Sequence, residues 1–170
     1  MAEKKNPLGP IGEIARQNVS RLREAQRLTY AELSRQLDDL GRPIAQLGLR
    51  RIEAGERRID VDDLVALAVV LKVSPLALIL PTDSSALTPD GPEYRARDIW
   101  EWGQGLATLD RTRDPAAELV FLRESNPVMY EQVRAEQEAG KVNSNPVAVG
   151  RVIAKRQRQD RRGRLTNGDD

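Results

Sequence analysis

The tripeptide Gly41-Arg42-Pro43 forbids one long helix through the first half of the chain. Pro43 has no amide hydrogen to donate and pushes the residue before it out of the helical region. Any helix arriving from the N-terminal side therefore stops near residue 40. Gly41 suits a left-handed turn at that stop. Upstream, "LTYAELSRQLDDLG" carries the matching start signal. Thr29 with Glu32 three residues on makes a capping box, and Leu28 before the cap can pack on Leu33. Downstream, a third helix is expected from about Ala45 to Ala54, stopped by Gly55. A chain punctuated this way folds as short helices, each needing neighbours to bury its apolar side.

The punctuation continues on both sides. Residues 11–26 place Ile11, Ile14, Ala15, Val19, Leu22 and Ala25 at spacings of three and four, one apolar helical stripe. Asp60 is positioned to cap "VDDLVALAVVLK", which is apolar over much of its surface and is expected to be a buried core helix. Asp62 and Asp63 fall in its first turn, where acidic side chains meet the helix dipole, so a structural role is expected of them. Ser74-Pro75, a capping residue followed by a first-turn proline, is expected to open a short fifth helix, "PLALIL". The segment 82–92, "TDSSALTPDGP", is rich in turn residues and is expected to be a linker. Beyond it a helix is expected near Tyr94–Leu109, with Trp100 and Trp102 either packing residues or a partner contact. Asp114-Pro115, Asn126-Pro127 and Asn145-Pro146 share one grammar, a capping residue followed by proline at the first helical position. They predict helices at about 115–124, 127–139 and 146–162, with Gly140 closing the second.

The expected fold is all-α. It comprises a flexible N-terminus (1–10), a five-helix domain (11–81), the linker (82–92), a helical C-terminal region (93–163) and a disordered tail (164–170). Composition removes several functions. The chain has neither cysteine nor histidine, which excludes disulfides, zinc sites of the Cys/His kind and catalysis through Ser-His or Cys-His pairs. Neither half assembles a nucleophile with a base or a phosphate loop, so no enzyme and no cofactor is expected. No apolar run is long enough to cross a membrane, no secretory signal opens the chain, and a cytoplasmic, nucleoid-associated protein is expected. The net charge of +1 hides an asymmetry: residues 83–150 are acidic and residues 151–165 strongly basic. The basic tail reads equally as a frayed, solvated terminus or as a segment that meets phosphate.

The second and third helices have a specific relationship. A short helix capped by Thr29 meets, through a turn containing glycine, a helix with Leu49 and Ile52 on one side and Gln46, Arg50 and Arg51 on the other. That is the helix-turn-helix arrangement, in which the second helix enters the major groove of DNA. The residues "RLREAQRLTYAELSRQL" and "LGLRRIEAGERRIDVDDLVALAVVLKVSPLALIL" resemble the XRE family, the phage-repressor-like helix-turn-helix. The resemblance covers roughly residues 11–81, and Ile52-Glu53-x-Gly55 is its most diagnostic element. Here "DDLGRPI" makes the turn between the helices longer than in most members, as in regulators from actinobacteria and their mobile elements.

The resemblance implies a five-helix domain with helix three as reader of double-stranded DNA. By matched position, Gln46, Leu47, Arg50 and Arg51 read bases: Gln46 suits adenine, Leu47 a thymine methyl, and Arg51 guanine O6 and N7. Thr29, Tyr30, Arg42, Arg57 and Arg58 would hold phosphates, and Arg23 with Glu53 would form a structural ion pair. Gly48 would let the helix backbone sit close to the groove. The implied protein is a transcriptional regulator, expected to repress by occluding an operator, of a phage or mobile-element immunity type. It would bind as a homodimer, or as a monomer if the operator is asymmetric. The alternatives are an antitoxin-like regulator whose C-terminal half binds a partner protein, and an interaction adaptor without DNA binding.

Overall fold

The computed structural model describes residues 7–109 and 114–139. Eight helices occur among them: α1 (Pro10–Ala25), α2 (Tyr30–Asp39), α3 (Gln46–Glu53), α4 (Val61–Val70), α5 (Pro75–Ile79), α6 (Ala96–Gly103), α7 (Pro115–Ser125) and α8 (Pro127–Glu138). Two short strands, β1 (Ser85–Ala86) and β2 (Glu93–Tyr94), pair antiparallel, with Ser85 opposite Tyr94. The fold is all-α apart from this hairpin. The chain divides into two compact units between Ala96 and Arg97.

In the first unit α1 packs on α3 and α5, α2 packs on α3 and α4, and α4 packs on α5. Their common core contains Val19, Leu33, Leu37, Leu49, Ile52, Leu67, Leu71 and Leu78, all fully buried. Each such side chain contributes about 1.5–3 kcal/mol by leaving water. That is how helices as short as α3 and α5 persist when isolated peptides of their length would not. The buried amide of Asn18 is satisfied: it donates to the carbonyl oxygens of Leu78 (3.1 Å) and Leu80 (3.4 Å), tying α1 to the end of α5.

The punctuation operates as local chemistry says it should. Thr29 accepts from the backbone N–H of Glu32, and the Glu32 carboxylate accepts from the N–H of Thr29, closing the capping box at α2. Asp60 caps α4 through the N–H of Asp63 (2.7 Å). Gly41 lies at φ +82°, the N–H of Arg42 reaches Leu37 O and that of Gly41 reaches Asp38 O. This is the paired closure that satisfies the last carbonyls of a helix. Gly55 ends α3 the same way at φ +71°, while Arg27 and Lys72 adopt the left-handed conformation without glycine after α1 and α4.

Four expectations need correction. Helix α4 is not buried all round: Val61, Val65 and Val69 are exposed, because a spacing of four aligns them opposite the face of Asp63, Ala66, Leu67 and Val70 that meets α2 and α5. Ser74 stands at the start of α5 but makes no side-chain cap bond. The helix expected over Tyr94–Leu109 covers only Ala96–Gly103. Tyr94 belongs to β2, and Gly105 at φ +68° turns the chain so that Leu106 N–H bonds back to Glu101 O. The segment 82–92 contains β1 and joins it to β2.

In the second unit Leu106, Leu122, Met129 and Val133 form a small buried cluster. Helices α7 and α8 pack on each other, and Asp114 and Asn126 cap them, accepting from Ala116 and Met129 N–H respectively. Trp100 is half-buried and Trp102 is 38% exposed. The helix expected at 146–162, the stop expected at Gly140 for the helix over 127–139, and the basic tail lie outside the described residues.

Candidate nucleic-acid interface

Helix α3 owes its orientation to its neighbours. Leu49 and Ile52 are driven into the core between α1 and α2, which turns the opposite side of this two-turn helix outward. Gln46, Leu47, Arg50 and Arg51 all lie on that outward side and are exposed. Leu47 is 59% exposed, an unusual degree for a leucine on a helix whose other leucine is fully buried. The side chains of Gln46 and Arg51 make no hydrogen bond or ion pair among the described residues. Arg50 lies 5.3 Å above the Tyr30 ring, which aligns its side chain along the helix surface. The four expected base readers thus form one ridge with amide, apolar and guanidinium chemistry.

The C-terminal end of α3 is held by an ion pair. Arg23 from α1 grips Glu53 through two parallel hydrogen bonds, Nε to Oε1 at 2.7 Å and Nη2 to Oε2 at 2.9 Å. Tyr30 donates its phenol to the same Glu53 Oε2 at 2.8 Å, and Arg23 stacks over the Tyr30 ring at 4.3 Å. Burial pushes the Glu53 carboxyl up, but the bonds from Arg23 and Tyr30 outweigh it and hold it below its ordinary value. Burial, then the bond to Glu53, raises the Tyr30 phenol. Arg16 adds a bond from Nη1 to Glu53 O at 3.2 Å, covering a terminal carbonyl of α3.

The N-terminal side is held from α4. Arg42 lies in the connection 40–45 that carries the chain from α2 to α3, and it reaches Asp63 through Nε (2.8 Å) and Asp60 through Nη2 (2.8 and 3.0 Å). Its hydrogen bond to Asp63 is the chief reason its acidity is weakened further. Arg57, just past α3, donates Nη2 to the other oxygen of Asp63 at 2.6 Å. Ser34 completes the connection by donating to Ile44 O at 2.7 Å.

These contacts alter the roles expected of the flanking residues. Thr29 has both its N–H and its hydroxyl engaged by Glu32, whose charge occupies the positive end of α2 where a phosphate was expected. Tyr30 is turned inward to Glu53. Neither can take a phosphate without giving up these bonds. Arg42 and Arg57 are bound to carboxylates, and Arg58 donates to Pro7 O. The expected freedom of Gly48 also has an intramolecular use: a Cβ there would lie 2.8 Å from Arg57 Nη1 and 3.2 Å from Ile44 Cγ2. The guanidinium of Arg57 rests where a side chain would be.

Asp63 is the residue whose importance the linear reading missed. A signal existed: position 63 shares the buried face of Leu67 and Val70, where a solvated first-turn acid does not belong. Arg16 was missed as well, and its bond to Glu53 O leaves no trace in local sequence.

Two helices joined through residues 40–45, the second projecting a polar ridge from a five-helix core, define a helix-turn-helix domain. A helix-turn-helix family model matches residues 19–78, from the middle of α1 to the end of α5. That match marks the first unit as the kind of domain found in DNA-binding transcription regulators. No curated protein and no solved structure matches the chain. Among the described residues no helix is long and apolar enough to cross a membrane.

Proposed function

We propose that this chain is a sequence-specific regulator of transcription that binds double-stranded DNA through α3 and represses by occupying an operator. The observation that carries the reading is the exposed ridge of Gln46, Leu47, Arg50 and Arg51 on a helix whose other side is anchored in the core. An amide, a methyl-bearing side chain and two guanidiniums are the groups that distinguish base edges in the major groove. On this reading Arg51 takes a guanine, Gln46 an adenine and Leu47 a thymine methyl. Arg50 serves a base or the adjoining phosphate, and Arg58 lends positive potential beside the strand. The protein acts as a regulator, without catalysis or a cofactor, in the compartment that holds the DNA, with a phage or mobile-element immunity role. A homodimer would match a palindromic operator.

Selection of duplexes from a random pool by the full chain tests this. A reproducible motif whose affinity falls steeply with salt is expected; affinity for no duplex, or equal affinity for all, would overturn it. Half-sites related by two-fold symmetry one helical turn apart would establish the dimer, and a single asymmetric site would exclude it.

A further inference from the structure

The geometry points to Asp63 as the positioning residue for the reading helix: one buried carboxylate on α4 sets the presentation of α3 by holding the chain on both sides of it. The inference rests on α3 being the DNA-reading element.

The Asp63 side chain is 2% exposed, and a buried carboxylate persists only when paired and hydrogen-bonded. Its two oxygens divide the work. Oδ1 takes Arg42, from the segment leading into α3, and Oδ2 takes Arg57, from the segment leading out. Arg57 continues the linkage, since its Nη1 rests against half-buried Gly48 of α3, one residue from Leu47. Carboxylate, guanidinium and the bare backbone of Gly48 thus form a strut from α4 to the middle of the ridge. The opposite end of α3 is fixed by Arg23 and Glu53. Eight residues of helix have little stiffness of their own register against a core, so the angle of the ridge follows from these two anchors. The Asp63 pairing also withholds charge. Both arginines are more than a third exposed, at 38% and 39%, yet each is turned toward α4 by the carboxylate.

A residue that merely stabilised the fold would weaken binding to every duplex alike. A residue that aims the ridge while neutralising two arginines behaves differently. Replacing Asp63 by Asn removes the charge at nearly constant size, releases Arg57 to any phosphate and leaves Arg42 held by Asp60. In the full chain, Asp63→Asn is therefore expected to lower the ratio of affinities for the selected duplex and a shuffled duplex by about tenfold. Its affinity for the shuffled duplex stays unchanged or rises, and the salt dependence on that duplex becomes steeper by about one phosphate equivalent. Gly48→Ala, which displaces Arg57 and leaves Arg42 on Asp63, is expected to lower the ratio severalfold with no steeper salt dependence. Both are read by fluorescence anisotropy over a salt series, after far-UV circular dichroism has matched each variant to the wild type. Should Asp63→Asn not fold, Gly48→Ala carries the test. A wild-type chain without preference among duplexes would defeat the DNA-reading function itself. A wild-type chain with a clear preference whose ratio survives the folded variants within twofold would overturn the positioning role of Asp63 alone.

Discussion

The arginines at the two faces of α3 make opposite use of one side chain. On the inner side Arg23 is bound bidentately to Glu53, stacked on Tyr30 and largely buried. On the outer side Arg51 is exposed and without a partner among the described residues. A guanidinium near the core is retained because its desolvation is offset by a fixed carboxylate, and its loss leaves that carboxylate stranded. An exposed guanidinium contributes nothing comparable to folding and keeps its donors for a ligand. Paired and unpaired arginines are thus separated by which side of a two-turn helix they occupy.

The separation can be broken from the inside first. Glu53→Gln leaves Arg23 buried beside a neutral amide, and a loss of about 3–5 kcal/mol in unfolding free energy is expected from urea denaturation at neutral pH. An unchanged midpoint would mean that the inner anchor is dispensable. Acid should act on the same anchor. Glu53, Glu32 and Asp60 all sit below their ordinary carboxyl values, Glu32 through the N–H of Thr29 and Asp60 through the N–H of Asp63. A depressed carboxyl stabilises the fold above its unfolded value and loses that contribution as pH falls through the folded one. Stability is therefore expected to be flat from pH 7 to 5 and to decline below about 4.5, the ordinary glutamate value. The decline should be shallower in Glu53→Gln, and an equal slope would remove Glu53 from the acid transition.

From the outside, Arg51→Ala is expected to leave the unfolding curve in place while costing about 1–3 kcal/mol of binding to the selected duplex, with specificity relaxed at one base pair. Equal losses on selected and shuffled DNA would make Arg51 a phosphate contact instead. The smallest effect belongs to a pair that is neither anchor nor reader. Arg35 and Asp39, both well exposed on α2, bond at 3.1 Å, and Arg35→Ala should change stability by no more than about 0.5 kcal/mol. A larger change would show that exposure alone does not sort these arginines.

The start of α2, its stop at Gly41 and the stop of α3 at Gly55 were legible because each depends on a few adjacent residues. The capping box needs only Thr29 and Glu32, and the left-handed turn needs only a residue without a Cβ. The end of α6 was missed because Gly103 and Gly105 straddle an apolar pattern that runs on to Leu109. The exposed valines of α4 were missed because hydrophobicity cannot say which side of a uniformly apolar helix finds a neighbour. The ridge of α3 followed from Leu49 and Ile52 facing the core. The assignment of Tyr30 and Arg42 to phosphate overlooked partners distant in the chain, Glu53 and Asp63.

Spacing, caps and stops are short-range properties, so the number of helices in the first unit, their all-α class and the outward side of α3 could be written from the order of residues. The partner of a charged side chain is a long-range property. Asp63 meets Arg42 across 21 positions and Glu53 meets Arg23 across 30, and those encounters exist only once α1, α3 and α4 have packed. Packing places the two carboxylates where water is excluded. There a charge must be answered by the nearest guanidinium, which decides which arginines hold the domain together and which remain exposed.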